Sequence, residues 1–115
     1  MSSSVKTRQA GKVTILEPSG RLVVGEAANE LDQTLQNCIA AGHLALLLDC
    51  SRASYIDSQG IQVLVRAVIS IGRRGGKLKL LKLSGRVWEV LNLTRLLTVI
   101  ESFEDEGAAL RSFDS

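Results

Sequence analysis

Three side chains in this 115-residue chain have the types that nucleophilic chemistry needs: the hydroxyl of Ser58, the carboxylate of Asp57 beside it, and the single imidazole, His43. A serine acts as a nucleophile when a base within hydrogen-bond reach takes its proton and a third group orients that base. The spacing argues against this. His43 stands at the start of a predicted strand that ends near Ser58, so the length of the strand, roughly 3.3 Å per residue, separates them. No other base stands out, and catalysis is not expected. Asp57-Ser58 can instead do one of two simpler things. Ahead of an apolar helix, either residue can cap free backbone N–H groups of the first turn. Alternatively, Ser58 can accept a phosphoryl group. A phosphate there adds about −1.5 to −2 charge. It would sit at the positive end of a helix dipole, which tolerates it, and next to Asp57, which does not. The fold would survive and the surface would change.

Other chemistries find little support. Cys38 falls on the apolar face of a predicted helix and Cys50 at a strand end, so both read as small buried hydrophobes of a reducing cytosol, and a two-cysteine metal site lacks partners. No metal or cofactor is expected. Net charge is +2 and 3% of residues are aromatic; direct nucleic-acid binding wants a clustered basic face and stacking rings. Arg73-Arg74-Gly75-Gly76-Lys77 lacks the spacing of a phosphate-binding loop and is better read as a helix C-cap with basic residues complementing the dipole. No motif supports nucleotide binding. No signal core or membrane-length apolar run is present, which points to a cytoplasmic protein without a membrane partner.

The elements that must position Asp57-Ser58 can be read around it. Leu44 to Cys50 is a short apolar run closed by an acid, the pattern of a strand buried on both faces. Residues 51–56 link it to a helix over 58–73. In that helix Ile61, Leu64, Val65, Val68 and Ile71 fall on one face of a 3.6-residue period, opposite Gln62, Arg66, Ser70 and Arg73. Val63 lies off that face near the Ser58 end, as a partner contact or as a singly exposed valine. Upstream, residues 1–4 are expected to be disordered. Val5, Thr7 and Gln9 form an edge strand, 10–12 a turn and 13–17 a second strand, which ends or bulges at Pro18. Residues 20–25 form a loop whose Leu22, Val23 and Val24 either fold onto the core or make a rim facing a partner. Residues 26–41 form a helix with Leu31, Leu35, Cys38 and Ile39 on its apolar face. Downstream come a leucine strand (Leu78, Leu80, Leu81, Leu83), a helix holding Val87, Val90 and Leu91 with Trp88 half-buried and Ser84 as a cap, a final strand over 98–101, and a last helix with Ala108, Ala109 and Leu110. Alternating strands and helices imply an α/β domain over 1–115, with a mostly parallel sheet and right-handed crossovers. The 45% hydrophobic content supports a packed core.

The stretch Leu47-Leu-Asp-Cys-Ser-Arg-Ala-Ser-Tyr-Ile-Asp-Ser-Gln-Gly-Ile61, with Gly75-Gly76 after the helix, resembles the signature of the STAS domain family, and in particular its bacterial anti-sigma factor antagonists. The resemblance covers nearly the whole chain and implies an antiparallel strand at the N-terminal edge of the sheet. It implies that Ser58 is phosphorylated by an anti-sigma factor that is itself a serine kinase. The unphosphorylated form binds that factor, and a serine phosphatase resets the cycle. On this reading Asp57 fixes the loop and caps the helix, Gly60 admits the partner's backbone, and Val23, Val24, Gln59, Gln62 and Val63 complete the docking rim. Three positions depart from the family pattern: Val23 where an Asp is common, Gln59 where a second Ser is common, and Gln62 where a small residue is common. They leave room for an alternative, a STAS scaffold subunit that is never phosphorylated, for example in a lipid-transport ABC complex.

Overall fold

The computed structural model describes residues 5–114; the expectation for residues 1–4 lies outside them. The chain opens with the expected hairpin, β1 (Val5–Ala10) and β2 (Val13–Pro18), paired antiparallel from Val5 opposite Pro18 to Ala10 opposite Val13. From there every strand of the main sheet runs parallel. β4 (Ala45–Asp49) pairs with β2 and with β6 (Lys77–Leu81), and β6 pairs with β7 (Ser102–Phe103), giving the order β1-β2-β4-β6-β7. An α/β fold with a mostly parallel sheet and an antiparallel N-terminal edge strand is therefore what the chain adopts.

The run at Leu44 to Cys50 is apolar on consecutive residues because β4 is the central strand and is buried on both sides. Leu46 and Leu48 enter a core shared with α1 (Glu26–Ala40) and α2 (Ser58–Arg73), whereas Leu47 enters a smaller core on the opposite face, closed by α4 (Glu106–Ser112). β6 repeats the alternation, with Leu78 and Leu80 facing the first core and Leu81 the second. Its Lys79 lies on the α4 side and is buried. Its ammonium donates to the Ser112 carbonyl (3.1 Å) and hydroxyl (3.0 Å), pairs with Glu101 (3.1 Å), and lies 4.7 Å from the centre of the Phe113 ring.

Two features of the first core differ from the sequence reading. α2 is rotated about one position from its expected face: Val63, Leu64, Ala67 and Ile71 are buried and Val65 is exposed. The expected face rests on the large apolar residues alone. Gly60 and Ala67, too small to count as apolar markers, set the actual rotation, because the side without bulk lets the backbones approach. The second difference is a small parallel sheet of β3 (Gly20–Leu22) and β5 (Ala53–Ile56), formed from two segments expected to be loops. Leu22 and Ile56 are buried by it. α3 (Gly85–Leu93) packs on β5 and buries Val87 and Leu91. Ser84 stands at its N-cap position, but its hydroxyl donates to the Ala53 carbonyl instead of capping. The final strand is β7, not residues 98–101, because Leu96–Thr98 coil into a 3-10 turn that buries Leu96. After α2, Gly75 takes the left-handed conformation (φ 80°), and the Gly76 N–H reaches back to the Ile71 carbonyl (2.9 Å). This is the expected glycine C-cap.

Candidate functional site

The site is built by the small sheet. β3 and β5 run in parallel and end together, so the chain leaving β3 at Val23-Val24 and the chain leaving β5 at Asp57-Ser58 emerge side by side. The Asp57 N–H donates to the Leu22 carbonyl (3.3 Å). Asp57 is then the N-cap of α2 in extended conformation. Its Oδ1 accepts from the Gln59 N–H (3.0 Å) and the Gly60 N–H (3.1 Å). Its Oδ2 accepts from the Val24 N–H (2.9 Å), thirty-three residues away in sequence. One carboxylate thus caps the helix and pins the neighbouring loop. Those backbone donors, Val24 first and then Gly60, hold the Asp57 carboxyl below the usual carboxylate range, because hydrogen bonds to the charged form favour it.

This arrangement resolves which member of the pair caps. Asp57 makes the capping bonds, and Ser58 is the first residue of the helix and exposed. The Ser58 hydroxyl therefore sits on the surface at the positive end of a 16-residue helix. Around it Val24 is 69% exposed, and Gln59 and Gln62 are exposed on the first turns of α2. Val23 is half-buried, and its carbonyl accepts the Ala28 N–H at the start of α1. Further along the outer face, Arg66 pairs with Asp32 at 2.6 Å and ties α2 to α1.

Two residues expected on the rim are elsewhere. Val63 is 5% exposed and belongs to the core, a consequence of the rotation of α2. Gly60 is buried, and the backbone that approaches it is the chain's own: a Cβ at this position would strike the Leu22 carbonyl oxygen and lie 2.6 Å from Ile56 Cγ1. Its lack of a side chain lets β3 close against the start of α2. Three residues the sequence reading missed, Arg21, Tyr55 and Arg86, cluster beside the site. Nothing local signals them, because their meeting depends on the β3–β5 pairing.

His43 lies in the turn before β4, its N–H bonded to the Cys38 carbonyl, at the opposite end of that strand from the chain that leads to Ser58. Burial pushes both thiols up, that of Cys50 to about 12 with the neighbouring Asp49 charge adding to the effect, which makes them poor nucleophiles. Among the described residues no group of three or more His, Cys, Asp or Glu could hold a metal, and no helix is long and apolar enough to cross a membrane.

Comparison with known proteins gives three findings. The family model described as STAS domain matches residues 4–109. Two curated proteins, the anti-sigma-B factor antagonists of Listeria monocytogenes and Listeria innocua, are each 36% identical over 64 residues. That match spans 56% of this chain and 56% of each Listeria protein, so the chain aligns with about half the length of these relatives. Among solved structures, a Thermotoga maritima protein described as a candidate anti-sigma factor antagonist superposes with a TM-score of 0.90 at 24% identity, covering 96% of this chain and 95% of that one. An anti-sigma factor antagonist from Mycobacterium paratuberculosis gives 0.84 at 19%, covering 96% and 93%. The Bacillus cell-fate determinant SpoIIAA in its phosphorylated form gives 0.73 at 17%, covering 94% and 98%. At these identities the structural likeness establishes the fold.

Proposed function

The chain belongs to the STAS domain family, and from that premise we propose that it is an anti-sigma factor antagonist that works by partner switching at Ser58. In this reading the unphosphorylated protein binds an anti-sigma factor that is a serine kinase. The kinase phosphorylates Ser58 and thereby loses its grip, and a serine phosphatase restores the binding form. The protein catalyses nothing itself. The observation that carries the reading is the division of labour at the start of α2: Asp57 holds the loop and caps the helix, which leaves Ser58 exposed with no capping bond to make. The names of the Listeria relatives and the phosphorylated state of the SpoIIAA structure support the same direction.

The docking surface consists of Val24, Asp57, Ser58, Gln59 and Gln62, with Val23 at its margin. Val63 and Gly60 act from beneath, the first by packing and the second by admitting Leu22. A phosphate on Ser58 would have to be desolvated under a docked partner, and burying an unpaired charge costs several kcal/mol. Since each 1.4 kcal/mol is about tenfold in affinity, a loss of roughly a hundredfold or more follows.

The test is a capture experiment from lysate of the source organism with nucleotide present. Wild type, Ser58→Ala and Ser58→Asp serve as baits and prey are identified by mass spectrometry. The expected result is a serine kinase held by wild type and Ser58→Ala and lost by Ser58→Asp. A second reading, the unphosphorylated scaffold subunit, draws on the departures at Val23, Gln59 and Gln62 and on a TM-score of 0.77 at 25% identity to a sulfate transporter family protein from Wolinella succinogenes. It predicts a transporter protein captured equally by all three baits, and that result would overturn the switch.

A further inference from the structure

Beside Ser58 the small sheet carries a cleft of about 350 Å³ lined by Arg21, Ser54, Tyr55 and Arg86. Arg21 lies opposite Tyr55 in the β3–β5 register, and its guanidinium sits 5.2 Å from the centre of the Tyr55 ring. Arg86, in the first turn of α3, brings a second guanidinium to 5.7 Å from the same ring. Two like charges therefore converge on one aromatic face or edge. Among the described residues neither is neutralised by an ion pair. Other features of the cleft have the same sign. The first turn of α3 contains no acid, and its N-cap residue Ser84 turns its hydroxyl to the Ala53 carbonyl, so no side chain caps the positive end of that helix. Of the carboxylates close by in sequence, Asp57 already accepts three backbone N–H groups, and Glu89, one turn along α3 from Arg86, forms no ion pair with it.

We propose that the Arg21–Tyr55–Arg86 cleft receives a carboxylate side chain from an acidic segment of the protein partner, as a second anchor next to the Ser58 docking surface. The proposal deepens the partner-switching reading and rests on it for the claim that this end of the molecule is a docking face. A planar guanidinium fork matches a carboxylate bidentately, Ser54 adds a neutral donor, and the uncapped helix end adds its dipole. The position favours a protein partner over a free small anion. Arg21 is two residues before Val23 and Tyr55 three before Ser58, so an acidic segment in the cleft continues the surface that the partner already covers.

The experiment is a nitrogen-15 NMR titration of the full chain, reading the side-chain Nε–H signals of Arg21 and Arg86 and the Tyr55 amide. The probes are a blocked octapeptide alternating glutamate with serine, the same peptide with glutamine for glutamate, inorganic phosphate, and ATP. The expected result is saturable shifts at all three residues with the glutamate peptide, none with the glutamine peptide, and roughly tenfold weaker binding in Arg21→Gln and Arg86→Gln. Both arginines are exposed, so the variants should fold; if one does not, the comparison of the two peptides on wild type still decides. Tighter saturation by phosphate or ATP than by the glutamate peptide would overturn the protein partner in favour of a small-anion site. Absence of shifts, or equal binding by the variants, would overturn the cleft altogether. The titration uses no kinase and an unmodified Ser58, so a failed switch and a failed cleft give different results.

Discussion

At the residue scale, Asp57 and Ser58 are neighbours with opposite duties, and their substitutions should separate cleanly. Ser58 makes no capping bond, so Ser58→Ala should change unfolding free energy by no more than about 0.5 kcal/mol, the range of surface changes away from special features. Asp57→Asn should lower the urea midpoint clearly more, because the carboxylate joins the helix start to the Val24 loop. The Asp57 contribution also has a defined pH dependence. Its folded-state pKa lies below the unfolded value of about 3.9. The bonds therefore add stability at every pH above that value, and the contribution is lost as pH falls from there through the lowered folded pKa. The gap in urea midpoint between wild type and Asp57→Asn should stay constant above roughly pH 5 and narrow below pH 4. A gap that held its size down to pH 2 would mean that the ionised form is not what holds the loop.

At the scale of elements, the decisive contact is between β3 and the first turn of α2 at Gly60. Gly60→Ala places a methyl against the Leu22 carbonyl and the Ile56 side chain. Backbone cannot yield as a flexible side chain does, so the substitution should cost about 1–3 kcal/mol, the usual range for overpacking, although alanine is the better helix former. Thermal melts of Gly60→Ala and of a solvent-facing control, Gly72→Ala, should move in opposite directions, since a Cβ at Gly72 meets nothing. The same contact explains what could and could not be read from sequence. Runs with one strong period and punctuation at both ends were legible: the Val5–Pro18 hairpin, β4, and α1 with Leu31, Leu35 and Ile39. Asp57-Ser58 was legible as a helix start because capping is local chemistry. β3 and β5 were not, because strands of three and four residues carry too little alternation to register, and each exists only because the other pairs with it. Misplacing the buried face of α2 has the same origin: the residues that set its rotation, Gly60 and Ala67, matter for the bulk they lack. Val63 was assigned to the rim for that reason, and the Arg21–Tyr55–Arg86 cluster stayed invisible.

At the scale of the whole molecule, the sheet is covered unequally, and the thinner cover is the C-terminal helix. α1 and α2 lie on one face. On the other, α4 with Ala109, Leu110 and Phe113 is what packs over Val13, Ile15, Leu47 and Leu81. It is anchored at its start by Glu106, which takes a two-pronged bond from Arg8 on the edge strand (2.7 and 3.2 Å), and at its end by Lys79 under the Ser112 carbonyl. Deleting residues 104–115 should uncover that apolar face and strip Lys79 of Ser112 and Phe113. Each large side chain returned to water costs about 1.5–3 kcal/mol, against a total stability of roughly 5–15 kcal/mol. The truncated chain should therefore melt at least roughly 10 °C lower, since 1 kcal/mol moves a domain of this size by about 4–8 °C. It should also bind the dye ANS, as exposed apolar surface does. Glu106→Gln should act in the same direction more weakly, and its effect should fade at acid pH. The Arg8 hydrogen bonds hold the Glu106 carboxyl below its ordinary range, so their stabilisation is present above about pH 4.3 and lost as pH falls through the lowered value. An unchanged melting temperature and no dye binding on truncation would mean that the main sheet is held from the α1–α2 face alone. Because the Ser58 surface belongs to that face, the dependence on α4 sets a limit on the docking reading. A partner that binds at Ser58 should bind the truncated chain with unchanged affinity at any temperature where it remains folded, and a partner lost on truncation would have to touch the α4 side as well.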